Sequence, residues 1–131
     1  MFAMRAILRW TPAVVMMGLI FLASSTPASQ LPYFGAIDLL VKKGGHAIGY
    51  ALLGLSYFYA LPSRLSIPYR AVMALLMAIL FSLSDEFHQS FVEGRTSTVR
   101  DVLIDTGGAM LALFAAAVYS SSSRSSSISG S

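Results

Sequence analysis

The sequence predicts an all-α integral membrane protein, a four-helix bundle with short loops. Three observations carry that expectation. Of 131 residues, 56% are hydrophobic and only 11% are charged, against about 25% charged in ordinary soluble domains; the mean hydropathy is +0.70. The apolar residues gather in four stretches, each near the ~20 residues that cross a hydrocarbon core as a helix. None of the stretches alternates with period two, and in lipid only helices or closed barrels satisfy every backbone group. The chain has no cysteine, so disulfides, thiolate nucleophiles and cysteine-based metal sites are excluded. The net charge of +3 is scattered, with no basic stripe interleaved with aromatics, so no nucleic-acid partner is expected.

The first stretch covers residues 8–23, "LRWTPAVVMMGLIFLA", and closes with "SSTP". Arg5 and Arg9 ahead of it, and small residues up to Ala28 and Ser29, also fit a secretory signal peptide. Its length with flanks, and Trp10 at an interfacial position, favour a retained span. The second stretch covers 44–61, "GGHAIGYALLGLSYFYAL", the third 70–91, and the fourth 101–119, "DVLIDTGGAMLALFAAAVY". The connections "TPASQLP", "LPSRLSIP" and "VEGRTSTVR" carry turn chemistry. Residues 120–131, "SSSSRSSSISGS", have nothing to bury and are expected to be disordered. The organisation is thus one transmembrane domain, 1–119, followed by a tail.

Four crossings put the amino end, the second loop and the tail on one side. Arg5, Arg9, Arg64, Arg70 and Arg124 lie there; Lys42, Lys43, Arg95 and Arg100 lie on the other. Treating Lys42, Arg95 and Arg100 as site residues gives both termini cytoplasmic by the positive-inside rule, with the chain in the bacterial inner membrane.

The polar residues are lopsided. The second helix begins where the third ends and the fourth begins. Lys42, Lys43 and His46, then Asp85, Glu86 and Gln89, then Asp101 and Asp105 all fall at this one end, with Ser24 and Ser25 closing the first helix. The other end is expected to hold loop charges only. On a helix, residues three and four apart share a face. Three stripes follow: Lys42, His46 and Tyr50; Ser82, Glu86, Gln89 and Glu93; Asp101, Asp105, Gly108 and Ala112. An ionisable side chain inside a span costs roughly 2.5–3.5 kcal/mol on insertion scales, so these stripes should face the bundle interior or a wet cavity. Gly45 with Gly49, and Gly107 with Gly108, offer close helix approach. His88 points away from Glu86 and reads as interfacial.

"KKGGHAIGYALLGL" followed by "SLSDEFHQSFVEGRTSTVRDVLIDTGGAML" resembles the VanZ-like family of small bacterial membrane proteins. The family pattern is Lys and His ahead of Tyr and Leu-Gly, then Asp-Glu-x-x-Gln, Gly-Arg and Asp-x-x-x-Asn-x-x-Gly. Lys42 or Lys43, His46, Tyr50, Gly54, Asp85, Glu86, Gln89, Gly94, Arg95, Asp101 and Gly108 fit it. Asp105 departs from it, standing where the family usually has Asn. The resemblance covers all but the tail. It implies a link to glycopeptide antibiotic susceptibility and the cell envelope, and a remote likeness to membrane enzymes of lipid headgroups.

Two function classes follow. In the first, the site acts on a phosphate-linked lipid or cell-wall precursor headgroup at the outer leaflet, as a hydrolase or transferase. His46 or Glu86 supplies the general base, Asp101 orients a partner, Gln89 belongs to the same catalytic set, Lys42 and Arg95 neutralise phosphate, and Asp85, Tyr50 and Asp105 complete the substrate-binding set. A divalent cation such as magnesium on Glu86, Asp101 and Asp105 would suit oxygen ligands, although no spacing demands one. In the second class the same pocket binds a membrane lipid or lipid-linked precursor without chemistry and shields it from antibiotic.

Overall fold

The computed structural model describes residues 1–130. Four helices run up and down: α1 (Phe2–Ser25), α2 (Asp38–Ala60), α3 (Ile67–Gln89) and α4 (Val99–Ser129). Among the described residues there is no strand. By length and composition α1, α3 and α4 can each cross a membrane. α2 has the same length as α3, 23 residues, but opens with Asp38, Lys42 and Lys43, which dilute its apolar character. It compensates by position. α2 packs against each of the other three helices and buries Tyr50, Leu53, Gly54, Tyr57, Phe58 and Ala60.

The helix limits follow local chemistry. Ser66 caps α3, accepting a hydrogen bond from the Tyr69 amide at 3.4 Å, with Pro68 in the first turn where its missing N–H costs nothing. Thr98 caps α4 by accepting from the Asp101 amide at 3.3 Å and donating to Asp101 Oδ2 at 3.0 Å. α2 starts six residues before the apolar stretch seen in the sequence, since "DLLVKK" is helix-forming though not apolar throughout. α3 ends at Gln89, so Glu93 lies beyond it in a turn and does not extend the Glu86 stripe.

The serine-rich segment departs from the expectation of disorder. α4 continues through it to Ser129, with every residue from 121 to 130 exposed. No glycine or proline interrupts the run before Gly130. Ser126 donates to the Ser122 carbonyl at 3.2 Å and Ser127 to the Arg124 carbonyl at 2.8 Å, so the hydroxyls bond back into the preceding turn. At about 1.5 Å per residue, 31 residues make a rod of about 46 Å, well over a ~30 Å hydrocarbon core.

At the end of the bundle holding the termini, α2 finishes on two arginines. Arg9 Nη2 donates to the Leu61 carbonyl at 2.6 Å and the Tyr59 carbonyl at 3.3 Å. Arg70 Nη2 donates to the Phe58 carbonyl at 2.9 Å, and its guanidinium lies 4.3 Å from the centre of the Phe58 ring. Cations at a helix C-terminus satisfy orphan carbonyls and oppose the helix dipole. Arg70 is therefore no loop charge. It sits in the first turns of α3 and is buried.

Close packing is concentrated between α2 and α4. A Cβ on Gly108 would drive into the backbone carbonyl of Ala47. Gly45 and Gly107, by contrast, have no neighbour that a Cβ would meet, and Gly49 has only ordinary contact with Ile20. Gly45 and Gly49 line a cavity instead. Among the described residues α1 and α4 do not pack on one another, and they stand on either side of the α2–α3 pair.

Candidate functional site

The space between α1 and α4 is the cavity. It holds about 530 Å³ and has two kinds of wall. Met16, Leu19, Ile20 and Ala23 of α1, with Leu39 and Ile104, form an apolar side. Lys42, Lys43, His46, Glu86, Gln89, Arg95, Asp101 and Asp105 form a polar end. Seven of the nine expected residues, His46, Glu86, Gln89, Asp101, Lys42, Arg95 and Asp105, line it.

Asp85 and Tyr50 do not. Asp85 Oδ2 accepts the Ser24 hydroxyl at 2.7 Å and the Tyr50 hydroxyl at 3.3 Å, and both Asp85 and Tyr50 are fully enclosed. They join α1, α2 and α3 behind the cavity and do not line it. Adjacent residues on a helix point about 100° apart, so only one of Asp85 and Glu86 can face the cavity. The packing of α1 decides which.

Glu86 and Asp105 are buried, at 5% and 1% exposure. Asp105 Oδ2 accepts from Ser82 at 2.9 Å, and its Oδ1 lies 3.5 Å from His46 Nδ1. Glu86 Oε2 and Gln89 Nε2 are buried without a hydrogen-bond partner. His46, Glu86 and Asp105, from three helices, each bring one ligand-type atom within 4.8 Å of the other two. This corrects the expected grouping of Glu86, Asp101 and Asp105. Asp101 is engaged by Lys43 and by its own cap Thr98, and His46 takes the third place.

The lysines are committed as well. Lys42 pairs with Asp38 one turn earlier at 2.9 Å, and Lys43 with Asp101 across to α4. Arg95 has only a long 3.5 Å contact with the Thr26 carbonyl and no carboxylate partner among the described residues. It is held at the cavity mouth by its loop. Gly94, at φ +74°, adopts a left-handed turn that favours glycine, and a Cβ there would press on Ala28. The Ala28 amide donates to the Glu93 carbonyl at 3.2 Å, so the first and third loops are tied together beside the cavity. Ser97 donates to the Glu86 carbonyl at 2.6 Å and fastens the end of α3.

His88 stands outside this arrangement. Its Nε2 is 2.8 Å from Ser25 Oγ and its ring stacks on Phe21 at 4.3 Å.

The ordered set of lysine, histidine, acids, glutamine and arginine around one cavity has a counterpart in a known family: the VanZ/LLP1 family model matches residues 9–120. The chain belongs to the VanZ-like family. No curated protein and no solved structure matches it. For a VanZ-like chain, the structure adds where the motif residues sit. Most surround the cavity, while Tyr50 and Asp85 buttress it from behind. Sequence reasoning missed the apolar wall. Met16, Leu19 and Ile20 read as lipid-facing residues of a span, and hydropathy cannot separate lipid from an apolar pocket. Thr98 carried a legible signal, a threonine three residues ahead of an acid at a helix start.

Proposed function

We propose that this protein takes a phosphate-bearing lipid headgroup, of a membrane lipid or a lipid-linked cell-wall precursor, into the cavity at the outer leaflet and acts on its phosphate ester. The observation that carries this reading is the two-sided cavity. An apolar wall on α1 meets a polar end with an arginine free of carboxylates and a buried acid with an unpartnered oxygen. An amphiphile is the class of molecule that fits both walls.

Arg95 suits the phosphate, because a planar guanidinium makes paired hydrogen bonds to two phosphate oxygens. Glu86, buried with one oxygen unpartnered, serves as the base. It takes the proton of a water or acceptor hydroxyl as that oxygen bonds to phosphorus. The bond from phosphorus to the departing alcohol oxygen breaks, and the alcohol leaves with a proton returned by the acid form of Glu86. His46, against Asp105, is within reach to share this transfer. Gln89 has its amide free to orient the headgroup.

Turnover settles the reading. Detergent-purified protein is incubated with diacyl and polyprenyl phosphates and diphosphates, and released phosphate and lipid products are measured. Product formation that Glu86→Gln abolishes is expected. Saturable lipid binding without any product would replace it with the shielding role, and neither binding nor product would overturn both.

A further inference from the structure

We infer that His46, Glu86 and Asp105 form a binding site for one divalent transition-metal ion, of the zinc or manganese class. The residues come from α2, α3 and α4, and one ligand atom from each lies within 4.8 Å of the other two. That spread is within the reach of a rotamer adjustment to ligand bonds of about 2.0–2.2 Å. Three further observations point to an ion.

The first is the orphan oxygen. Glu86 is 5% exposed and its Oε2 is buried with no donor. Leaving a buried acceptor of this kind unmade is expensive, and more so for a charged group. The second is the charge around it. Two buried carboxylates share the pocket with one imidazole, the nearby lysines are spent on other acids, Lys42 on Asp38 and Lys43 on Asp101, and Arg95 at the mouth forms no ion pair with either carboxylate among the described residues. The third is anchoring. Asp105 is oriented by the Ser82 hydroxyl on its Oδ2, which leaves Oδ1 turned to His46, and the Gly108–Ala47 contact one turn on fixes α4 against α2. Ligand carboxylates in metal sites are held by outer hydrogen bonds in this way.

The ligand set selects the ion. One imidazole nitrogen with two carboxylate oxygens suits zinc, manganese or iron(II), whereas magnesium and calcium prefer oxygen alone. Three protein ligands leave positions toward the cavity for water or a phosphate oxygen, the open arrangement of catalytic rather than structural sites. A carboxylate that binds through one oxygen keeps the other for a proton, so Glu86 can serve both roles. The ion's part in contacting a phosphate rests on the lipid reading given above; its binding does not.

The test uses the full chain in detergent, stripped with a chelator and free of added lipid. Cobalt(II) is titrated in as a spectroscopic stand-in. One equivalent should bind and give visible ligand-field bands, and zinc should displace it. His46→Gln and Glu86→Gln should each lose the bands while eluting from gel filtration as the parent does. Asp105→Asn, which keeps an oxygen ligand and removes its charge, should weaken binding by about tenfold. If either Gln variant fails to fold, the parent's stoichiometry and the other variant still decide. Absence of saturable one-to-one binding by the parent overturns the site, as does a parent-like spectrum in a folded Glu86→Gln protein. Because no lipid is present, failed turnover leaves the ion site standing, and a failed titration leaves lipid binding standing.

Discussion

The two ends of this bundle both bury charge, and they do so for different reasons. At the end with the termini, buried Arg70 and the exposed Arg9 close the free carbonyls at the finish of α2, and Arg70 also lies against the Phe58 ring. Among the buried side-chain atoms of the described residues, only Arg70 Nε lacks a partner there. These charges meet a need the helix itself creates. At the opposite end Glu86, Gln89 and Asp105 crowd around a cavity, with buried atoms of Glu86 and Gln89 unpartnered beside it and Asp85 Oδ1 unpartnered behind it. No helix terminus requires them. A buried charge that completes backbone bonding is architecture, and on the reading proposed above one that leaves atoms open beside a cavity serves a ligand.

The largest test of this contrast exchanges the two outcomes. Glu86→Gln should abolish activity and leave membrane abundance equal to the parent or higher, since Gln keeps hydrogen-bonding capacity and removes the desolvation cost of charge. Abundance falling together with activity would place Glu86 with the structural charges. Arg70→Met should do the reverse. It forfeits a charged hydrogen bond and a cation–π contact, about 2–4 kcal/mol in thermal unfolding, while folded protein keeps its specific activity. Loss of activity at full stability would break the distinction.

Next in size is Gly108→Ala. The added methyl meets the Ala47 carbonyl, and overpacking of a rigid contact costs about 1–3 kcal/mol. It should also widen the separation of His46 from Asp105, read as weaker cobalt binding in the folded fraction. An unaltered affinity would show that the polar end adjusts independently of the α2–α4 contact. Smallest is His88→Gln, which keeps a partner for Ser25 and gives up stacking on Phe21. Activity should be unchanged and stability altered by less than about 1 kcal/mol. Which end faces out is read separately. In intact cells Thr96→Cys should be labelled by an impermeant thiol reagent and Arg64→Cys protected, and the reverse pattern inverts the assignment.

Much of this was visible in the residues. Four apolar stretches gave four helices because a backbone in lipid has few alternatives, and turn residues marked the loops. The up-and-down helix order sets His46, Glu86, Gln89, Asp101 and Asp105 at one end, and spacings of three (Glu86 to Gln89) and four (Asp101 to Asp105) set each pair on one helix face. What failed to show depended on neighbours distant in sequence. Asp85 and Glu86 are equivalent to any local reading, and only Ser24 and Tyr50 pull Asp85 away from the cavity. Likewise Lys42 looked available until Asp38 proved to lie inside the same helix. The serine run looked structureless because composition reports what can be buried, whereas hydroxyl-to-carbonyl bonds within a continuing helix need no burial at all.

The gap between α1 and α4 sets how an encounter would be counted. Its wall of Met16, Leu19 and Ile20 continues the apolar surface of the bundle sideways, while the tied first and third loops border the watery side. A molecule that keeps its tail in the bilayer then arrives by two-dimensional diffusion, and its bulk molarity is irrelevant. Saturation should follow the mole fraction of the lipid in the membrane. Diluting it with inert phospholipid at constant total concentration should lower the rate, and adding more vesicles of the same composition should not raise the rate per protein.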